Sequence, residues 1–249
     1  MSGHNKWSTI KHKKGAADAK RSKVFTKIIK ELTIAAKLGG GDPDGNPRLR
    51  TAIAQAKTAN MPKDNVTNAI KKGTGELEGV TYEEAMYEAY GPGGSALCIE
   101  VLTDNKNRTV AEIRHILGKH GGSLAESGSV AWQFERKGRI LVEKEKIGED
   151  ALMEMALDCG ADDVQDADDV WEIYTAPGEL ENVRGALEAK GLEMDEIKLG
   201  LFPKTTVTLD EKKAETLLRL IDVIEDNDDV QNVFGNFDIP DEVAEKLAQ

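Results

Sequence analysis

Lys6, Lys11, Lys13 and Lys14 crowd the stretch HNKWSTIKHKKG, with His4, Trp7 and His12 among them. Ammonium groups at this density suit one chemistry above others, the neutralising of a polyanion with release of its condensed counterions. Trp7 offers an indole plane on which an unpaired base can stack, and equally a plug for a thin core. His4 and His12 have no Cys or carboxylate at ligand spacing, so no metal is expected.

The cationic run continues as a pattern. At about 100° per residue, Lys20, Lys23, Lys27, Lys30 and Lys37 fall within an arc of roughly 100°, opposite an apolar stripe. Ordinary solvated helix faces interleave charge signs at i,i+4. Here residues 1–30 hold nine Lys/Arg, Arg21 among them, and one acid, Asp18. Unopposed lysines repel one another, and a phosphate backbone would relieve that repulsion. Arg48 and Arg50 open a second helix and Lys63, Lys71 and Lys72 flank a third. Arg48 at a helix start opposes the macrodipole unless an anion neutralises both. The expected nucleic-acid contacts are therefore Lys6, Trp7, Lys11, His12, Lys13, Lys14, Lys20, Arg21, Lys23, Lys27, Lys30, Arg48, Arg50, Lys71 and Lys72.

Other stretches imitate catalytic motifs. GPGGS at 91–95 has the glycines of a phosphate-cradling loop but no following Lys, and reads as a tight entry to a strand. Cys98 lies in an apolar strand, and His115 and His120 are five apart on a helix, off a common face. Buried structural thiols are the expectation there. The acidic clusters DADD (166–169) and EDNDD (225–229) lack EF-hand spacing and read as solvated turns that could also repel nucleic acid. No enzyme, cofactor or metal site is expected.

Charge is informative once it is divided. The net charge of the 249 residues is −12, yet residues 1–72 carry 16 Lys/Arg against 5 Asp/Glu, a net of +11. The rest carries 17 against 40, a net of −23. Such asymmetry suits a polyanion-binding module joined to a part that avoids polyanions. No run of about 18 apolar residues exists to span a membrane, and two cysteines make no disulfide framework, so a reducing cytoplasmic setting is expected.

Three helices must position the cations. The first covers 16–38 and ends at GGG, the second starts at the Asn46–Pro47 cap, and the third has Pro62 first and Gly73 just past its end. Beyond Gly79 strands and helices alternate. SALCIEVL (95–102), VAWQFE with Val130, Trp132 and Phe134 inward, RILVE, WEIYT, EIKLGLF, TTVTL and VQNVFGNF read as strands. Thr109 and Glu112 read as a capping box for the helix that follows the first strand. Helix, Gly, polar strand, turn and Trp strand recur at 110–134 and 151–175, each a portion of a βαββαβ sandwich. The expected fold is multidomain α+β: a three-helix bundle and two ferredoxin-like α/β domains, the third inserted in the second. The expected boundaries are 1–79, then 80–136 with 205–249, and 137–204 inserted.

GHNKWSTIKHKKGAADAKRSKVFTKIIKEL, GGGDPDGNPRLRTAIAQAKTANMPKDNVTNAIKKGTGE, YEAYGPGGSA, TDNKNRTVAEIRHILGKHGG and GSVAWQFERKG resemble the YebC/PmpR family, nearly end to end and most strongly through residue 138. The resemblance implies one helical and two α/β domains and no catalytic residues. Its basic N-terminal motif falls on Lys11, His12, Lys13, Lys14, Arg21 and Lys23, and its NPRLR on Arg48 and Arg50. A match starting at Ser2 argues against a cleaved presequence. Members are named probable transcriptional regulators that bind DNA; mitochondrial relatives are translational activators, and bacterial ones are tied to the ribosome. The expectation is a non-enzymatic nucleic-acid-binding regulator of gene expression. As a DNA reader it would use Asn65 and Asn68 of the third helix on base edges. As an RNA or ribosome binder it would need only the Lys face, the arm and Trp7. The residues fit the second better, the family's customary name the first. A protein partner would meet the acidic α/β domains, and a pure interaction scaffold is the third alternative.

Overall fold

The computed structural model describes residues 17–167 and 169–248. Helix α1, Ala17–Gly39, turns Ile28, Leu32, Ala35 and Ala36 inward. Helix α2, Pro47–Thr58, opens at Asn46, whose side chain accepts from the Leu49 amide at 3.1 Å and donates to the Ala35 and Gly40 carbonyls at 2.8 Å each. One buried amide thus caps α2 and satisfies carbonyls at the end of α1. Helix α3 is Lys63–Thr74. The three pack about Leu32, Leu49, Ala52, Ala56, Met61 and Ala69, a core thin in large side chains.

Gly73 is not the helix stop expected from the sequence. Gly75, at φ 83°, takes the left-handed cap, and Gly73 lies two residues before it, within the last turn. A Cβ at Gly73 would sit 2.3 Å from the Thr33 carbonyl oxygen and 2.8 Å from the Ala36 Cβ. Its glycine is needed for the close approach of α3 to α1.

Strand β1, Glu83–Tyr90, was not legible: EEAMYEAY is rich in good helix formers. It pairs antiparallel along its length with β2, Ala96–Thr103, from Glu83↔Thr103 to Tyr90↔Ala96. Helix α4, Lys106–Lys119, is capped by Asn105, which accepts from the Arg108 amide, and not by the expected Thr109–Glu112 box. The Thr109 hydroxyl is buried and donates to Asp229 at 2.6 Å. Strand β3, Ser123–Leu124, adds to β1.

Then come β4 Phe134–Glu143, α5 Glu149–Asp158, β5 Asp163–Ala167, β6 Val170–Thr175, α6 Leu180–Ala189, β7 Glu196–Pro203, β8 Val207–Thr208, α7 Glu211–Glu225, β9 Val230–Gly235, β10 Phe237–Asp238 and α8 Asp241–Ala248. Among the described residues these form two four-stranded sheets, β3-β1-β2-β9 and β5-β6-β4-β7, each antiparallel throughout, and a short parallel β8–β10 pair. The second sheet is a βαββαβ unit drawn wholly from 134–203. The first has the same spatial order, but the position of the unit's third strand, between β3 and β2, is filled by β1, which precedes the other strands in the chain.

That substitution corrects the expected repeat. The Trp strand of the first copy does not form: 131–133 is a 3-10 turn, Val130 and Phe134 are buried, and Trp132 is 67% exposed. The cause is Glu88 of β1. Its buried carboxylate accepts from the amides of Gly128, Val130 and Ala131 at 2.6, 2.6 and 2.8 Å, so those donors have no need of a strand partner. Burial alone would raise this carboxyl; the three amides outweigh it and hold it below its ordinary range.

Leu97, Ile99 and Val101 of β2 meet Ile113 and Leu117 of α4 and Leu217, Leu220 and Ile221 of α7. The alternate residues Ala96 and Cys98 face the other way, toward Val130, Phe134 and Phe234. Burial pushes the Cys98 thiol up to about 12, with Glu88 and Glu100 adding to it, and the sheet separates it from α4, which carries His115. Among the described residues no helix is long and apolar enough to cross a membrane.

Candidate nucleic-acid interface

The lysine face of α1 is where expectation and structure part. Lys23 Nζ lies 2.6 Å from the Asp226 carboxylate and 3.2 Å from its carbonyl oxygen. Lys27 Nζ donates to the Glu225 carbonyl at 2.8 Å. Lys30 Nζ donates to the Asp228 carbonyl at 2.8 Å and pairs with the Asp229 carboxylate at 2.5 Å, both side chains being more than nine-tenths buried. At Lys23, Lys27 and Lys30 the expected unopposed stripe is therefore opposed, by EDNDD. That segment is no free solvated turn: it carries the C-terminal carbonyls of α7, the negative end of its dipole, where cations are stabilising.

Asp229 ties three elements together. Besides Lys30 it accepts from the Thr109 hydroxyl, from Thr103 at 3.0 Å and from Arg108 at 2.8 Å. Burial would raise its carboxyl; hydrogen bonds from Lys30, Thr109 and Arg108, and the Lys30 charge, outweigh it and hold the group well below the carboxylate range.

Arg48 is corrected in the same way. Its guanidinium binds both Glu31 oxygens, at 2.6 and 3.0 Å, and Glu84 at 2.7 Å. Hydrogen bonding to Glu31 raises its pKa further above the ordinary value against the effect of burial, and Glu84 adds to the rise. The anion that the helix start demanded comes from within the chain. Lys37 donates to the Tyr82 carbonyl at 3.4 Å and, with Lys72, lines an open groove between α1, α3 and residues 75–82.

Lys37 is itself exposed, and further exposed cations lie on α2, on α3 and at Arg21. Arg50, Ala54 and Lys57 follow one another at i, i+4 and i+7 along the outer side of α2, a helix without an acidic residue. Arg50 donates to the carbonyls of Pro43 and Asp44, which fixes its root while leaving it exposed. On α3, Lys63, Lys71 and Lys72 are exposed with a single acid, Asp64, and Asn65, Asn68 and Lys72 share one side. Arg21 is exposed, its guanidinium 5.4 Å from the Phe25 ring centroid.

Of the residues expected from the sequence, Arg21, Arg50, Lys71 and Lys72 are thus exposed, and Lys23, Lys27, Lys30 and Arg48 are engaged internally. Lys20 lies in α1, but its side chain, like all of Lys6, Trp7, Lys11, His12, Lys13 and Lys14, falls outside the described residues. Lys57 and the carboxylates of Glu31, Glu84, Asp226 and Asp229 were missed. A signal existed for the last two: EDNDD is one of two acid runs able to balance a run of unopposed lysines.

Two family models cover most of the chain, the TACO1/YebC protein N-terminal domain over residues 5–76 and the TACO1/YebC second and third domain over 82–237. The chain belongs to the TACO1/YebC family. Within this family it is 59% identical over 249 residues, all of both chains, to a protein of Syntrophobacter fumaroxidans named probable transcriptional regulatory protein. A Desulfatibacillum aliphaticivorans protein of the same name is 61% identical over 242 residues, 97% of this chain and 98% of that one. Among solved TACO1/YebC-like folds, the crystal structure of a conserved hypothetical protein, Aq1575 from Aquifex aeolicus, superposes with a TM-score of 0.81 at 48% identity, covering 91% of this chain and 93% of that one.

Proposed function

We propose that this protein is a non-enzymatic, nucleic-acid-binding regulator of gene expression that holds phosphates with the outer sides of α2 and α3. The observation that carries the reading is the charge of those two helices: Arg50, Lys57, Lys63, Lys71 and Lys72 exposed against Asp64 alone. The relatives' shared name, probable transcriptional regulatory protein, supports the regulatory half of it. Asn65 and Asn68, exposed beside Lys72, suit contact with base edges in DNA. The absence of a mid-helix Arg on α3 favours the second reading, phosphate-led binding of structured RNA or the ribosome.

The test replaces Lys57, Lys63, Lys71 and Lys72 together with Gln and measures binding of duplex DNA and of a structured RNA across salt. Each lysine that meets a phosphate of duplex DNA should remove about 0.9 from the slope of log affinity against log salt. Unchanged affinity and slope for both probes would overturn the reading. Crosslinking in cells with sequencing of both nucleic acids separates its two forms: promoter DNA without rRNA supports the first, and the converse the second.

A further inference from the structure

The internal contacts of α1 are graded. At the inner end, Lys30 and Asp229 have side chains only 8% and 6% exposed, and the carboxylate also serves Thr103, Thr109 and Arg108. At the outer end, Lys23 is 39% exposed and Asp226 66%. A buried pair strands a charge when one partner leaves, whereas an exposed pair is held weakly and its partners go back to water at little cost.

We propose that Asp226 stands at Lys23 in the place a backbone phosphate takes when nucleic acid binds, so that Lys23 exchanges an internal carboxylate for an external phosphate. This rests on the nucleic-acid reading above and adds a contact that is masked in the free protein. Carboxylate and phosphate oxygens take the same ammonium donor, and Asp226 is already mostly in water, so its release exposes no new buried charge. The backbone around it is pinned independently. Asn227 donates to Glu112 at 2.7 Å and accepts from the Asp229 amide at 2.9 Å, while Lys30 holds the Asp228 carbonyl. The Asp226 side chain can therefore swing away without the loop unfolding, and the Lys30–Asp229 anchor stays closed. Arg21, exposed at the same end of α1, would meet the incoming strand first.

The test compares full-length wild type, D226N, K23Q and the double variant, titrated with duplex DNA and with an RNA hairpin over a salt series. Unmasking one phosphate contact on the duplex should steepen the log–log slope by about 0.9, which is roughly threefold in affinity over a fourfold change in salt. D226N should gain that increment, and K23Q should erase the gain in the double variant, which distinguishes exchange at Lys23 from a general loss of negative charge. If D226N binds like wild type while the α2–α3 lysine variant binds less tightly, the exchange is refuted and the nucleic-acid reading stands. If D226N gains equally with and without Lys23, the exchange is also refuted. If neither D226N nor the α2–α3 variant changes binding, both fall together.

Discussion

At the scale of single residues the most consequential group is Asp229, a buried carboxylate with four donors drawn from α1, β2 and α4. Removing its charge strands the buried Lys30 without its anion, and a buried pair broken on one side costs about 3–5 kcal/mol. D229N should therefore destabilise the full chain by about that amount in chemical denaturation near neutral pH. The sign of the pH dependence follows from a carboxyl held below its ordinary range. Its contribution is complete above the unfolded value, about 3.9, and fades as pH falls below that value toward the folded one. The acid limb of stability should accordingly be shallower in D229N than in wild type. A limb of equal slope would show that Asp229 does not govern it. The acid run at 225–229 pointed to a partner for the lysines, but the burial of this one carboxylate joins residues 199 positions apart and leaves no local mark.

At the scale of elements the helical unit was legible through its punctuation. Asn46–Pro47 and Pro62 mark helix starts by local backbone chemistry, and local chemistry is what a sequence carries. Gly73 was misread because its role is a contact across two helices. Gly73→Ala would gain about 1 kcal/mol of helix propensity but force a methyl against the Thr33 carbonyl, an overpacking worth about 1–3 kcal/mol. We expect net destabilisation in thermal unfolding; a stabilised variant would mean that α1 and α3 separate freely. Strand β1 shows the same limit from the other side. Its helix-forming residues become a strand because β2 offers a full antiparallel ladder and Glu88 has three amides to bind, and tertiary pairing overrides propensity.

At the scale of the whole molecule, the charge division of the sequence has two consequences. The net +11 of residues 1–72 is partly consumed by acids of the remainder, at Lys23, Lys30 and Arg48. The bundle should therefore be less stable alone: residues 1–79 excised are expected to melt below the corresponding helices of the full chain, followed by hydrogen exchange. The segment 134–204 has its own core about Ile140, Leu152, Trp171, Ile173, Val183 and Leu187, and we propose that it unfolds cooperatively when excised. A bundle as stable alone as in the chain would remove Asp229 and Glu84 from any role in holding it. The sequence by itself determined where most helices and strands lie, the α+β class and the concentration of cations at one end, since these follow from local periodicity and composition. Only the tertiary structure decided which of those cations face solvent. Burial and charge pairing are set by segments far apart in the chain, and no local pattern records that the acids of 225–229 close over the lysines of α1.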